Sequence, residues 1–304
     1  MLKVNFLSLS QRSAPLRLGL FVLNLLVLWL PLAAPFYLMV RDTNLVSIAT
    51  MAILYVEFII LLKLWGKYVY NQPQPLRHYG LELSKLNGVE LLRGFAIGVT
   101  SVLVLFGFEG LFGWLVWQQP NVFLFRVVVE GLIVGLGVGF AEELLFRGWL
   151  LNELERDYKP SVSLWIDAIL FAVLHFIKPL EAIIHTLPQF PALVLLGLTQ
   201  VWGKRWRRGR LGLPIGLHGG LVWGYYIINV GELIQYSGRV PEWVTGVHKN
   251  PLAGVMGLVL LGGLALWMRG RVVKTKGNPL FMNSFVARLP IKKPQRRRGH
   301  GDKS

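Results

Sequence analysis

An all-α, polytopic membrane bundle is the fold class this sequence predicts, and three observations predict it. Hydrophobic residues make up 54% of the 304 and charged residues only 16%, where a soluble domain averages about 25% charged. Apolar runs of membrane-spanning length recur from Leu18 to Met268. Lysine and arginine alternate in abundance between successive connections. Of 32, 26 fall on the side of both termini, five fall on the other side, and Arg147 lies inside the fourth run. That asymmetry orients about eight helices with both ends cytoplasmic. The net charge of +16 is then a topology signal and a source of contacts with anionic lipid at basic loops and tail, with no nucleic acid implied. The absence of cysteine removes disulfides, thiolate zinc sites and cysteine nucleophiles.

Residues 1–17 read as a cytoplasmic N-terminal segment and 18–268 as the membrane bundle. The first run, Leu18–Val40, is too long for a signal-peptide core and reads as a retained span. The second covers about Leu45–Leu64. Lys67–Arg93 carries Gln72-Pro73-Gln74-Pro75 and then Leu81, Leu86, Val89 and Leu92 among charges, the pattern of a turn and an interfacial amphipathic helix. The third run spans about Gly94–Trp117 and the fourth Val127–Leu151. The fifth, Ser161–Phe176, and sixth, Pro191–Trp202, fall short of the ~20 residues of a full crossing, which suggests a hollow between helices. The seventh covers Leu211–Val230 and the eighth Leu252–Met268. Asn250-Pro251 before the eighth is helix-start grammar, an N-cap followed by an N1 proline. Residues 269–304 are basic and low in apolar periodicity, which predicts a disordered cytoplasmic tail.

The fourth run contains Glu142, Glu143 and Arg147. Each charge at mid-bilayer costs roughly 2.5–3.5 kcal/mol on insertion scales, so three within six residues need a reason. Either the helix ends early and leaves them in interfacial water, or they form an ionisable site facing a polar cavity between helices, the reading that the apolar residues continuing to Leu151 favour. Glu143 and Arg147 stand one helical turn apart and can pair, while Glu142 points about 100° away. His175, His218 and, less deeply, His185 are the ionisable residues of the neighbouring runs. A carboxylate and an imidazole in a low-dielectric hollow can activate water. Gly212, Gly216, Gly219 and Gly220 around His218 allow close helix approach. Depth agrees for Glu143 and His218, at ~12 and ~10 Å from their inner ends, but His175 at ~21 Å lies too deep. No His-Glu-x-x-His helix or Gly-x-Ser-x-Gly elbow is present, and Asp167 is the only aspartate inside a predicted span.

In order and spacing these residues resemble the CPBP intramembrane proteases, also called the Abi or type II CAAX prenyl protease family. Glu142-Glu143-x-x-x-Arg147 matches its first motif and Phe171-x-x-x-His175 its second. Of the third, His-x-x-x-Asn/Asp, only His218 matches, because Val222 stands four residues on. The resemblance covers about 81–268. It implies an endopeptidase acting on a membrane-tethered or hydrophobic peptide or protein. Glu142 and His175 would activate water, Glu143 and Arg147 would support them, and His218 would stabilise the oxyanion. The family is often catalogued as metalloprotease. Zinc is a chemically allowed cofactor here, with Glu142, His175 and His218 as its ligands if it binds, yet the pair needs no metal to activate water. Val222 cannot donate to an oxyanion. Trp223 offers a nearby indole N–H, and Asn229 lies ~16 Å along the helix. The site is expected to open towards the cytoplasm, in a bacterial cytoplasmic or thylakoid-type membrane. A non-catalytic scaffold or chaperone of the same fold is the second reading, and a transporter, without any internal repeat, the third.

Overall fold

The computed structural model describes residues 6–276, and over them the chain is a polytopic helical bundle with almost no sheet. Its principal helices are α1 (Ala14–Met39), α2 (Thr43–Tyr68), α3 (Lys85–Leu111), α4 (Leu124–Asp157), α5 (Pro160–Leu174), α6 (Phe190–Trp206), α7 (Gly212–Val230) and α8 (Val255–Lys276). Each coincides with one of the apolar runs. Six stretches are long and apolar enough to cross a membrane by length and composition: α1 to α4, α8, and α6 together with the short helix that leads into it from Leu180. Large apolar side chains such as Leu38, Met39, Leu111 and Ile133 point outward. Such a surface is stable in lipid and sticky in water. The face carrying Ala14 and Lys276 is termed near, the opposite one far.

Three boundaries differ from the sequence reading. The amphipathic stretch before Gly94 is no separate interfacial helix. Ser84 caps α3 by accepting from the Asn87 N–H at 3.2 Å, and the helix then runs unbroken from Lys85. It stops at Leu111, not Trp117. Gly113, at φ 69°, turns the chain so that Leu115–Trp117 (β1) pairs antiparallel with Ile234–Tyr236 (β2) on the far face. The last helix continues past Met268 to Lys276, and the rest of the predicted tail lies outside the described residues.

The fourth helix is the largest departure. Instead of ending at Leu151 it widens into a π turn over Leu144–Leu150 and continues to Asp157. Its 34 residues reach ~51 Å at 1.5 Å per residue, well beyond a ~30 Å hydrocarbon core. The overhang is gripped on the near face. Arg17 of α1 donates to Glu153 at 2.9 Å and to the Glu153 carbonyl at 3.0 Å, and the Tyr70 hydroxyl donates to the same carboxylate at 2.6 Å. Arg17 and Glu153 are fully buried, so residues counted as a cytoplasmic segment are partly structural. Beside them, burial together with Arg156 and Lys204 pushes the His78 ring down to about 4 from its ordinary 6.5. The unfolded chain therefore binds the extra proton first. This contribution to stability should be complete above pH 6.5 and lost as pH falls towards 4. His78→Gln should flatten that part of a Tm-against-pH curve.

Between the near face and the middle of the bundle, Phe21, Phe58, Trp65, Tyr79 and Trp149 form a buried aromatic cluster, with the Phe21 and Trp149 rings 4.3 Å apart. In the middle, α7 runs between α3 and α4 with backbones nearly touching. A Cβ at Gly216 would stand 1.9 Å from the Leu91 carbonyl of α3, and one at Gly139 of α4 would stand 2.7 Å from the Ile215 carbonyl. Only hydrogen fits there, which holds α7 from both sides. The start of α7 is itself sunk in the bundle: Leu211 to Ile215 are all buried, and the Leu211 N–H donates to the Gly80 carbonyl at 3.0 Å.

Candidate active site

Glu142 and Glu143 close the regular part of α4, immediately before its widened turn. Single π turns inside α-helices recur at functional sites because they re-aim side chains. The two carboxylates have opposite surroundings. Glu143 is fully buried, where it accepts from Arg147 Nη1 at 3.3 Å and from His218 Nδ1 at 2.9 Å. Glu142 is half-buried and faces a cavity, with Oε2 hydrogen-bonded to no protein group among the described residues. That oxygen lies 3.8 Å from His175 Nε2 and 3.8 Å from His218 Nε2. The separation is too long for a direct hydrogen bond and of the size one water bridges.

Both rings are held from behind. His175 caps α5, and its Nδ1 donates to the Phe171 carbonyl at 2.7 Å, which leaves Nε2 as the acceptor towards Glu142. The Phe of the second motif therefore contributes its backbone as well as its ring. Its aromatic face also lies beneath the Arg147 guanidinium, 4.3 Å from the ring centre. His218 is 5% exposed and oriented by Glu143.

Arg147 carries more than one ion pair. Nε lies 3.5 Å from Asp167 of α5, and Nη2 donates to the Gly197 carbonyl of α6 at 3.2 Å. One guanidinium thus ties α4, α5 and α6 together beneath the site. Asp167 is fully buried. Its isolation as the only aspartate in a span was the available signal, but sequence could not say that α5 turns it towards α4.

The depth mismatch at His175 disappears. With α4 ending at Asp157 and α5 starting at Pro160, Glu142 and His175 each stand fifteen residues, ~22 Å, from the same near-face turn. His185 is not at the site; it is exposed in the short helix Leu180–Thr186, with Nδ1 3.5 Å from His248 Nε2. Trp223 is also unavailable, because its indole N–H donates to the Val128 carbonyl at 2.8 Å. Asn229 lines a separate far-face cavity.

The cavity beside Glu142, about 260 Å³, is lined by His175, His218 and Val222 and reaches the far-face residues Gln189 and Asn250. The aromatic cluster and the overhanging α4 stand on the near side of the site, and α5 ends at Leu174 beside the cavity. The donor set was also tested as a zinc site. Nδ1 of each histidine is bonded to a protein acceptor, which leaves both Nε2 atoms free and facing Glu142 Oε2, while no three His, Cys, Asp or Glu among the described residues are grouped closely enough to hold a metal ion.

Residues 124–224 match the family model described as Rce1-like, type II CAAX prenyl endopeptidase Rce1-like. Comparison with curated proteins and with solved structures found no match. The matched segment holds all three motif positions, from Glu142 through His175 to His218. Over it, the resemblance to the CPBP family is borne out, and the chain is an integral multi-pass membrane protein.

Proposed function

We propose that the chain is an intramembrane endopeptidase in which Glu142 and His175 activate a water against a peptide bond of a membrane-associated substrate. The observation that carries this reading is the placement of Glu142 Oε2 at 3.8 Å from two imidazole Nε2 atoms, at the floor of a cavity. A water held there gives one hydrogen to Glu142 and the other to His175 Nε2, with a lone pair free for attack. Attack forms the C–O bond and moves the water proton to Glu142. Collapse of the tetrahedral intermediate breaks the C–N bond, and the same proton passes to the leaving amine. His218 stabilises the oxyanion, a role that needs a proton on Nε2. The Glu143 carboxylate accepts from Nδ1 and holds the ring in place, with Arg147 behind it between Glu143 and Asp167.

The substrate class is a hydrophobic or lipid-tethered peptide, in keeping with the largely apolar lining of Leu193, Leu196 and Leu261. Anionic lipid is the partner of the basic near-face loops. The direct test is cleavage of a farnesylated CAAX-type peptide and its unprenylated counterpart by the purified chain in proteoliposomes. Cleavage of either supports the reading, and failure to cleave both overturns it. A non-catalytic scaffold is the second reading, favoured by Val222 alone.

Orientation follows from charge: eight crossings with the near face cytoplasmic, in a bacterial or thylakoid-type membrane. The chain lacks cysteine, so single cysteines report side without interference. Cysteines at Arg207 and just after Lys276 should label from the cytoplasm and one at Arg239 from outside. Opposite labelling at any of the three would break the eight-crossing topology.

A further inference from the structure

We infer that Asn250, on the loop before α8, supplies the oxyanion hydrogen bond that Val222 cannot. The inference rests on the proteolytic reading and adds a residue to it from outside the matched segment 124–224. Val222 and Asn250 line the same cavity as Glu142, His175 and His218. Val222 puts an apolar side chain one turn beyond His218, and Asn250 contributes an amide to the lining of the same cavity from another element.

The orientation of that amide is fixed. Asn250 Oδ1 accepts from the Leu252 N–H at 2.9 Å, the N-cap contact that its sequence position predicts. With the oxygen engaged, Nδ2 holds two hydrogens and donates to no protein group among the described residues. Capping accounts for the oxygen and leaves the donor unused.

The loop is built to hold this residue in place. Gly246 has φ 147°, and His248 and Lys249 are consecutive non-glycine residues at φ 55° and 62°. Such conformations persist only where surrounding packing enforces them, and they cluster at functional sites. The packing is visible. A Cβ at Gly254 would stand 2.7 Å from Gly246 N, and one at Gly257 would stand 1.9 Å from the Pro251 carbonyl. The Tyr225 hydroxyl, three residues past Val222 on α7, donates to the Lys249 carbonyl at 3.3 Å and ties the loop to the helix of His218. Gln189 lines the same cavity, but no side-chain hydrogen bond among the described residues orients its amide.

The experiment uses the full chain in proteoliposomes with the farnesylated peptide as probe, reading kcat, KM and Tm together. Asn250→Ser and Asn250→Asp both keep an oxygen to cap Leu252 and both remove the amide N–H; the serine hydroxyl, drawn back by one bond, does not reach where Nδ2 stood. Each should lower kcat by ~10²–10³, the cost typical of one oxyanion donor, with KM and Tm unchanged. Adding Val222→Asn to Asn250→Ser should recover most of the lost rate, which a purely structural role would not produce. Parental kcat in either single variant overturns the assignment and leaves the protease standing. So does a loss of kcat that follows a fall in Tm and is not rescued by Val222→Asn. Parental turnover in Glu142→Gln overturns the protease and the inference with it.

Discussion

Arg147→Ala should abolish accumulation of the folded protein. The guanidinium stands among Glu143, Asp167 and the Gly197 carbonyl, with all three charged side chains fully buried. Removing one partner of a buried ion pair typically costs 3–5 kcal/mol. Here it strands two carboxylates, against a total stability that is itself only about 5–15 kcal/mol. Arg147→Lys should recover only part of the yield, because a single ammonium cannot span carboxylates on two helices and a carbonyl on a third. Combining Arg147→Met with Glu143→Gln and Asp167→Asn should recover more, since no unpaired charge then remains. The readout is the monodisperse fraction after extraction from membranes. Parental yield in Arg147→Ala would mean that the charges are hydrated and the cluster is not structural.

Glu142→Gln should abolish turnover while leaving yield and Tm unchanged. Glu142 is half-buried and its Oε2 bonds to no protein group among the described residues. An amide of the same shape therefore takes its place without stranding a neighbour. What is lost is the base, worth about 10²–10⁴ in rate. In the proposed mechanism Glu142, His175 and His218 act on one water and one carbonyl. Double substitutions among them should cost little more than single ones. The check is peptide cleavage by the three single variants and one double in the same lipid. Cleavage at the parental rate by Glu142→Gln would favour the scaffold.

These two outcomes separate the residues legible in the sequence from those that were not. The charged residues of the first motif stand out because charge is costly in a lipid-facing run, and their four-residue spacing predicts the pair that forms. Asp167 was visible as an anomaly but not as a partner, because hydropathy carries no information about the rotation of α5. The end of α4 was hidden for a different reason. Asn152, Glu153, Glu155, Arg156 and Asp157 look like a loop, and it is tertiary contacts, the clamp by Arg17 and Tyr70 and the pairing of Arg205 with Glu155, that hold them in a helix. The false depth mismatch at His175 followed from that single boundary. Trp223 was a reasonable donor by spacing, but α4 presents it with the Val128 carbonyl. Asn250 read as helix punctuation, which it is. Its second face is visible only once the far-face loops have been folded over α7.

The side from which the cavity approaches Glu142 carries a consequence for regulation by the surroundings. The cavity beside the glutamate is lined as far as Gln189 and Asn250 on the far face, and under the proposed function that is the side from which water and protons reach it. The proposed endopeptidase should sense the acidity of the compartment beyond the β1–β2 ribbon and ignore that around its own termini. In proteoliposomes of uniform orientation carrying a pH gradient, turnover should follow the pH bathing the far face. A membrane that energises itself by pumping protons would then set the activity of this chain without any ligand.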